Sequence, residues 1–522
     1  MKRLLLIISS VLYVFGMCVG STSFMVLSDP HVMSTTLFDS TASFNGDPKL
    51  NEHSQELFDS AVTRILAATP DILLIPGDLT KDGEHASHLY VQSQLERIVQ
   101  NGTKVYVVPG NHDVNNPSAS SYLNGRQAKV PSLSADSFAT LYALCGYADA
   151  VMRMADGLSY MAYPAPGLAL ICLDSNKKNT TSRQSAGGLS EALLQWAEQA
   201  SAQAHEDGRV VIGMMHHNIV EHFDGHARFA STYVANTSDD MPALEDVQQR
   251  LITAGFKVML TGHFHIQSMQ HVTTSDGELY DITTGALCSL NSPLRTMVWN
   301  DTVLKVTSDT IGLYYDLKCE RNTNTTKGAI RVAANKGYPM IQDSLSILPA
   351  AATQMMNLPE SKEQMIADMD SFFLEPYTIA LNSLSLGDEN LHPKGTPLYF
   401  LDVKIGCMRA FNAYVDYLLG DYKNASILTP GYVRVQTTIS AARTLVENYL
   451  SSVLENYVGA TTNVVPDNSI TITLERPAVP DRLPDSAAAH NKAAKANKSI
   501  EDGTLVLTMP DGTRYNATGR RL

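Results

Sequence analysis

The sequence predicts a layered α/β domain followed by a mainly helical C-terminal region that ends in a small β element. Three observations carry this reading. Short apolar, mostly β-branched runs end at a polar cluster five times between Phe24 and His265. Amphipathic stretches of helical period lie between them. Past about Thr310 that alternation stops and segments rich in Leu, Ala, Met and aromatic residues take over at three-to-four spacing.

The amino terminus comes first. Met1-Lys-Arg3 is basic, Leu4 to Ile8 and Val11 to Phe15 are apolar, and small residues follow near Gly20-Ser21, the pattern of a secretory signal cleaved after Gly20. An uncleaved anchor is the competing reading, but the apolar run is short for a membrane span. Acylation at Cys18 is a third, poorly matched by Phe15-Gly16-Met17. Residues 1–20 are therefore expected to be a signal peptide, and the mature protein to be secreted, periplasmic or on the cell surface. Membrane contact would come only through the signal or a lipid anchor.

The five apolar runs are Phe24 to Leu27, Ile72 to Ile75, Val105 to Val108, Val210 to Met215 and Val258 to Leu260. Each reads as a buried strand. The clusters at their ends are Asp29-Pro-His31, Gly77-Asp78, Gly110-Asn111-His112-Asp113, His216-His217 and Gly262-His263-Phe-His265. Leu57 to Leu66, Leu89 to Val99 and Leu189 to Ala204 have helical period, so strand, loop and helix alternate. In such folds ligands gather at the carboxyl ends of strands. A lone Asp or His after a strand is usually a turn former or cap; five in register point to one place. Carboxylate, amide oxygen and imidazole are all ligands for divalent ions, and the set could hold two of them side by side.

Length and charge bound the rest. A chain of 522 residues exceeds one typical core. Its formal charge of −14 argues against binding a nucleic-acid polymer. The segment from Asn115 to Met161 interrupts the alternation and reads as a cap or binding insert; Tyr122 and Arg126 in it are candidate substrate contacts, but solvated residues on a helical insert would look the same, and that is the favoured reading. Met355 to Leu386 and Tyr399 to Val458 read as packed helices. A Pro-rich stretch from Arg476 to Pro484 leads to a hairpin, Gly503 to Tyr515, turning at Pro510-Asp-Gly512. The expected domains are 21–315 with an insertion at about 115–161, a helical region at 316–460, and an extension at 461–522. Five cysteines remain after cleavage, so they cannot all pair, and Cys172 reads as a core residue. Asn101, Asn179, Asn300 and Asn424 begin sequons.

The five clusters, in this order, resemble the calcineurin-like metallophosphoesterases, whose motifs run Asp-x-His, Gly-Asp, Gly-Asn-His-Asp/Glu, His and Gly-His-x-His. The resemblance spans roughly Phe24 to Thr310 and implies an α/β/β/α sandwich of two packed sheets flanked by helices. It implies two divalent or transition metal ions, Zn, Mn or Fe, with Asp29, His31 and His265 on one, Asn111, His216 and His263 on the other, and Asp78 bridging them. His112 falls outside the ligand set; its expected role is to stabilise the transition state and protonate the departing oxygen, with Asp113 orienting it. Of the paired histidines the resemblance favours His216, leaving His217 as a core or cap residue. His222 and His226 are expected to be solvated.

Departures within the family narrow the expectation. Purple acid phosphatases carry a Tyr three residues after the bridging Asp; Lys81 stands there. The 5′-nucleotidase branch usually has Gly after the first motif and Glu ending the third, where this chain has Val32 and Asp113. Gly77 to Glu84 and Tyr280 to Gly285 look instead like the branch of cyclic-nucleotide phosphodiesterases and secreted phosphohydrolases. The resemblance thus implies a hydrolase of a small phosphodiester such as a cyclic nucleotide. A phosphomonoesterase or a phospholipid head-group hydrolase is the enzymatic rival, and a non-catalytic secreted binding protein with the same fold is the rival from another class.

Overall fold

The structure is a computed structural model describing residues 21–475, except 45, 46, 48, 178–184, 223–240, 289, 291, 346–348, 387–397, 430, 438, 439, 441–443 and 445–467, together with 497–501, 504–508 and 514–516. The signal segment, His226, Asn179 and the Pro-rich stretch lie outside the described residues. The strands are β1 (Thr22–Val26), β2 (Ile72–Ile75), β3 (Lys104–Val107), β4 (Ser120–Leu123), β5 (Arg126–Lys129), β6 (Ala150–Arg153), β7 (Tyr160–Ala165), β8 (Leu168–Leu173), β9 (Val210–Met215), β10 (Val258–Thr261), β11 (Ser268–Thr274), β12 (Gly277–Thr283), β13 (Pro293–Trp299), β14 (Val303–Thr310), β15 (Ser469–Thr473), β16 (Asn497–Glu501), β17 (Thr504–Thr508) and β18 (Arg514–Asn516). The helices that matter here are α1 (Ser54–Ala68), α2 (His85–Gln100), α3 (Ala135–Leu141), α4 (Glu191–Glu206), α5 (Leu244–Thr253), α6 (Tyr315–Leu345), α7 (Lys362–Leu386) and α8 (Leu398–Leu419).

Two sheets face each other. The first runs β15-β14-β13-β1-β2-β3 and the second β11-β12-β10-β9-β8-β7-β6. All five expected strands are present, and β1, β2 and β3 are parallel neighbours, as are β9 and β10. Val26, Leu74 and Val107 of the first sheet share one core with Leu170, Ile212 and Leu260 of the second. Helices α1 and α2 close the outer side of the first sheet through Leu57, Phe58, Val91 and Leu95. On the far side, Leu193, Leu194, Val247 and Leu251 of α4 and α5 cover Ala169, Ile171, Val211 and Met259. Helix α4 starts where Ser190 accepts a hydrogen bond from Leu193 N–H. Each buried Leu on these helices contributes about 1.5–3 kcal/mol, so the four-layer order follows from where the apolar stripes can be covered.

Two boundaries differ from expectation. The segment read as a cap or binding insert is a β4–β5 hairpin and a short helix α3, so Tyr122 and Arg126 sit on strands and not on a helix, and its end is sheet: β6 pairs with β7 at the edge of the second sheet. Tyr122 is half-buried on the hairpin and Arg126 is exposed. The boundary near 460 also fails, because β15 returns to pair antiparallel with β14 and Leu474 O accepts from Trp299 Nε1. Ile470 and Ile472 alternate with polar residues there, the period-2 signal of a half-buried strand.

The region after β14 is helical as expected, with α7 packed on α6 and α8. Lys318 and Arg321, one turn apart on α6, fasten it to the sandwich. Lys318 donates to Ser292 Oγ; Arg321 donates to Phe44 O at 2.8 Å and pairs with Glu52. The terminal hairpin is present as β17 against β18, with β16 on its other side; the residues of its turn lie outside those described. Cys145, Cys172, Cys288 and Cys319 are free thiols, and Cys172 is buried as expected. Among the described residues no helix is long and apolar enough to cross a membrane.

Candidate metal centre

The loops after β1, β2, β3, β9 and β10 converge, and main-chain hydrogen bonds interlock them. His31 N–H and Val32 N–H donate to Asp78 O and Leu79 O, each at 3.0 Å. Gly262 N–H donates to His216 O at 3.0 Å, and His263 N–H reaches the Asp29 carboxylate at 3.0 Å. Space is so short that a Cβ on Gly110 would overlap the Asp78 carboxylate, and one on Gly262 would overlap Ser28 Oγ and Asp29. Those two glycines permit close approach of backbone to ligand.

The proposed ligand residues do come together. His31 Nε2 lies 2.9 Å from His265 Nε2, and Asp29 Oδ1 lies 3.5 Å from His265 Nε2. On the other side His216 Nε2 is 3.1 Å from His263 Nδ1 and 3.2 Å from Asn111 Oδ1. One oxygen joins the halves: Asp78 Oδ2 is 3.5 Å from His31 Nε2 and 3.4 Å from His216 Nε2. These separations match edges of a coordination shell with bonds of about 2.0–2.1 Å. The donors are imidazole, carboxylate and amide, so the set fits two divalent or transition ions.

Electrostatics agree with that fit. Burial, with Lys49 second, keeps His31 well below its ordinary value, and burial likewise holds His263 down, so both rings are neutral and can offer a lone pair. His216 is different: burial opposes its charge, but the Asp78 carboxylate pushes it up to about 9. Burial also works against the Asp78 charge, yet His216, His112 and His31 hold that carboxyl well below the usual range. His216 Nδ1–H donates to Pro76 O at 2.8 Å, which turns Nε2 inward.

His217 lies beside His216 and His263, and the three cluster closely enough to suggest a ligand group. Its ring nitrogens are already committed: Ser175 Oγ–H donates to Nδ1 at 2.8 Å and Nε2–H donates to Ser185 O at 3.1 Å. Burial drops it to about 3. It is the hydrogen-bonded core residue expected. His222, in contrast, is buried and not solvated, with Nδ1 at 3.1 Å from Ser268 Oγ and Nε2 at 3.3 Å from Asp281 Oδ2.

His112 stands over this centre with Nε2 3.9 Å from Asp78 Oδ2, and its backbone N–H donates to Asp78 Oδ1 at 2.8 Å. Asp113 does not orient it. The Asp113 carboxylate accepts from Gly110 N–H at 2.8 Å, Leu79 N–H at 3.0 Å, Thr80 N–H at 2.9 Å and Thr80 Oγ1 at 3.0 Å. Burial and then Asp78 push it up to about 7 against those amides. It ties the second and third loops together, and adjacency in sequence gave no hint of which way it turns. Orientation of His112 falls to Lys81 O, 2.5 Å from Nδ1, and Asp82 Oδ1, 3.1 Å away. Asp281, inside the Tyr280 to Gly285 stretch, has a positioning role that its sequence neighbours do not announce. It accepts from Ile219 N–H at 2.7 Å and Thr261 Oγ1 at 2.5 Å, pinning the loop after His216.

Residues 22–267 match the family model described as calcineurin-like phosphoesterase. They form a calcineurin-like phosphoesterase domain. The chain therefore carries the domain of a dinuclear, metal-dependent phosphoric ester hydrolase, in the sandwich the sequence predicted. Among solved structures, the phosphoesterase domain is similar to a dimetal phosphatase from Danio rerio, at 14% identity over 56% of this chain and 96% of that one, with a TM-score of 0.40. It is similar to a purple acid phosphatase from yellow lupin at 12% identity, over 56% of this chain and 52% of that one, with a TM-score of 0.34. A third similarity is to GAP50 of Plasmodium at 11% identity, over 56% of this chain and 85% of that one, with a TM-score of 0.31. No curated protein matches.

Five of the seven proposed ligands have left-handed backbones: Asp29 (φ 48°), His31 (φ 43°), Asp78 (φ 47°), His263 (φ 70°) and His265 (φ 60°). Each such residue costs about 1–3 kcal/mol. The phosphoesterase domain holds its ligand turns in a conformation that local sequence disfavours, and the interlocked loops keep them there.

Proposed function

We propose that this protein hydrolyses a small phosphodiester, such as a cyclic nucleotide, at the centre built around Asp78. The observation that carries the reading is the single oxygen Asp78 Oδ2 set between His31 and His216, with the His112 ring beside it. Asp29, His31 and His265 would hold one ion and Asn111, His216 and His263 the other, with Asp78 shared. Bound there, Zn, Mn or Fe would supply Lewis-acid charge and an activated water. The chain's own part is to orient and to move a proton. His112 Nδ1 faces two acceptors, Lys81 O and Asp82 Oδ1, so it carries hydrogen. A second proton, on Nε2, is then the one available to the leaving oxygen as its bond to phosphorus breaks. Lys81 is matched by Asp82 at 2.5 Å, which leaves little surplus positive charge beside His112; a diester monoanion needs less of it than a monoester dianion.

Export is part of the same reading and is supported by the Met1 to Ser21 pattern; sequencing the mature amino terminus tests it, with Ser21 expected. For the activity, metal analysis is paired with a substrate panel. Bis-p-nitrophenyl phosphate is expected to turn over faster than p-nitrophenyl phosphate, and 3′,5′-cyclic nucleotides to be cleaved. Turnover of the monoester far above the diester contradicts the diesterase reading.

A further inference from the structure

We infer that Lys81 and Tyr122 form a positioning pair that sets the His112 ring for proton donation, making the β4–β5 hairpin part of the catalytic apparatus. This rests on the proton-donor role proposed for His112. Lys81 is only 7% exposed, unusual for a lysine, and its ammonium turns inward. Nζ lies 2.5 Å from Asp82 Oδ2, 3.4 Å from Tyr122 Oη and 5.4 Å from the centre of the Tyr122 ring. The other carboxylate oxygen, Asp82 Oδ1, faces His112 Nδ1 at 3.1 Å, and Asn116 Nδ2 lies 3.4 Å from it. The two oxygens of Asp82 are thus divided between Lys81 and His112. A carboxylate held at one end cannot swing at the other, so the ammonium fixes the rotamer that receives Nδ1–H. Lys81 acts a second time through its backbone, whose carbonyl lies 2.5 Å from the same nitrogen.

Tyr122 completes the line. Its ring packs edge-on against Phe44 at 5.1 Å between centroids, and Gln127 Nε2 approaches its hydroxyl at 3.3 Å from the neighbouring strand. It therefore presents a fixed face and a fixed oxygen to the ammonium. The line from hairpin to proton donor runs Tyr122, Lys81, Asp82, His112, and none of the first three is a proposed metal ligand.

A residue that only positions the proton donor matters most when the leaving oxygen needs a proton. The test compares diphenyl phosphate with bis-p-nitrophenyl phosphate in the wild type, Lys81→Met, Lys81→Arg and Tyr122→Phe, with metal content measured in each. Lys81→Met is expected to keep the wild-type metal content and KM while kcat on diphenyl phosphate falls by about 10- to 100-fold, the scale of a misplaced catalytic group, and on the nitrophenyl ester only a few-fold. Lys81→Arg is expected to restore most of the loss. Tyr122→Phe is expected to show the same split at smaller depth, and carries the test if Lys81→Met does not fold. Equal losses on both esters, or losses that follow metal content, would overturn the positioning role while leaving the hydrolase reading intact. A metal-loaded wild type that cleaves neither ester would overturn both.

Discussion

His31 Nε2 and His265 Nε2 face each other across 2.9 Å at the ends of different sheets. At that distance either one ring's N–H donates to the other or both lone pairs face one cation, and the second arrangement is the one proposed for the first ion. His265 also holds a left-handed backbone, at φ 60°. In His265→Gly, glycine relieves about 1 kcal/mol of backbone cost and removes one donor. The variant is expected to bind metal more weakly, while its metal-free form unfolds no earlier than the metal-free wild type. Thermal unfolding with and without chelator checks this; a metal-free variant that melts far below the metal-free wild type contradicts it.

The His112 ring makes no contribution to the proposed ligand set, although its backbone N–H holds Asp78. His112→Ala is expected to retain the wild-type metal content and to lose about 10²-fold or more in kcat, the usual worth of a general acid, with the smallest loss on the best leaving group. Metal analysis and steady-state kinetics on the same preparations check it. Parallel loss of metal and activity would make His112 structural.

His88 links acid stability to the site. It is fully buried, Nε2–H donates to Asp113 O at 2.8 Å, and Nδ1 accepts from Tyr142 Oη at 2.9 Å. Burial lowers it from 6.5 to about 4. Its folded value is below its unfolded one, so its contribution is fully present above pH 6.5 and is lost as pH falls from there through about 4. At pH 5 the loss from this group is about 2 kcal/mol. Urea unfolding at pH 7.5 and pH 5 is expected to show that difference in the wild type and a smaller one in His88→Gln. An equal pH response in both proteins contradicts the assignment.

The parts of this molecule that were legible in sequence are those with periodicity or fixed spacing. Phe24 to Leu27 and Val258 to Leu260 announce themselves as strands because every residue is buried on both faces, and the glycines before Asp78, Asn111 and His263 mark where backbone must pass close to a ligand. What was not legible depends on direction and distance in space. Asp113 follows His112, yet its carboxylate turns back to the amides of Leu79 and Thr80, and Asp82, separated by 30 positions, takes the imidazole instead. His222 reads as a loop residue until Asp281 and Ser268 enclose it. Strand β15 lies far from its partner β14 in sequence, and only the short alternation around Ile470 and Ile472 signalled it.

The central claim is that Asp78 joins two ions into one centre, and metal content in the wild type and Asp78→Asn tests it most directly. Asparagine tolerates the left-handed backbone at this position and keeps the shape of the side chain, so the variant changes charge and bridging capacity rather than fold. The wild type is expected to hold two metal equivalents per chain, and Asp78→Asn at most one, with phosphoester hydrolysis lost. A folded Asp78→Asn protein that keeps both equivalents, or a wild type that takes up only one, would contradict the account.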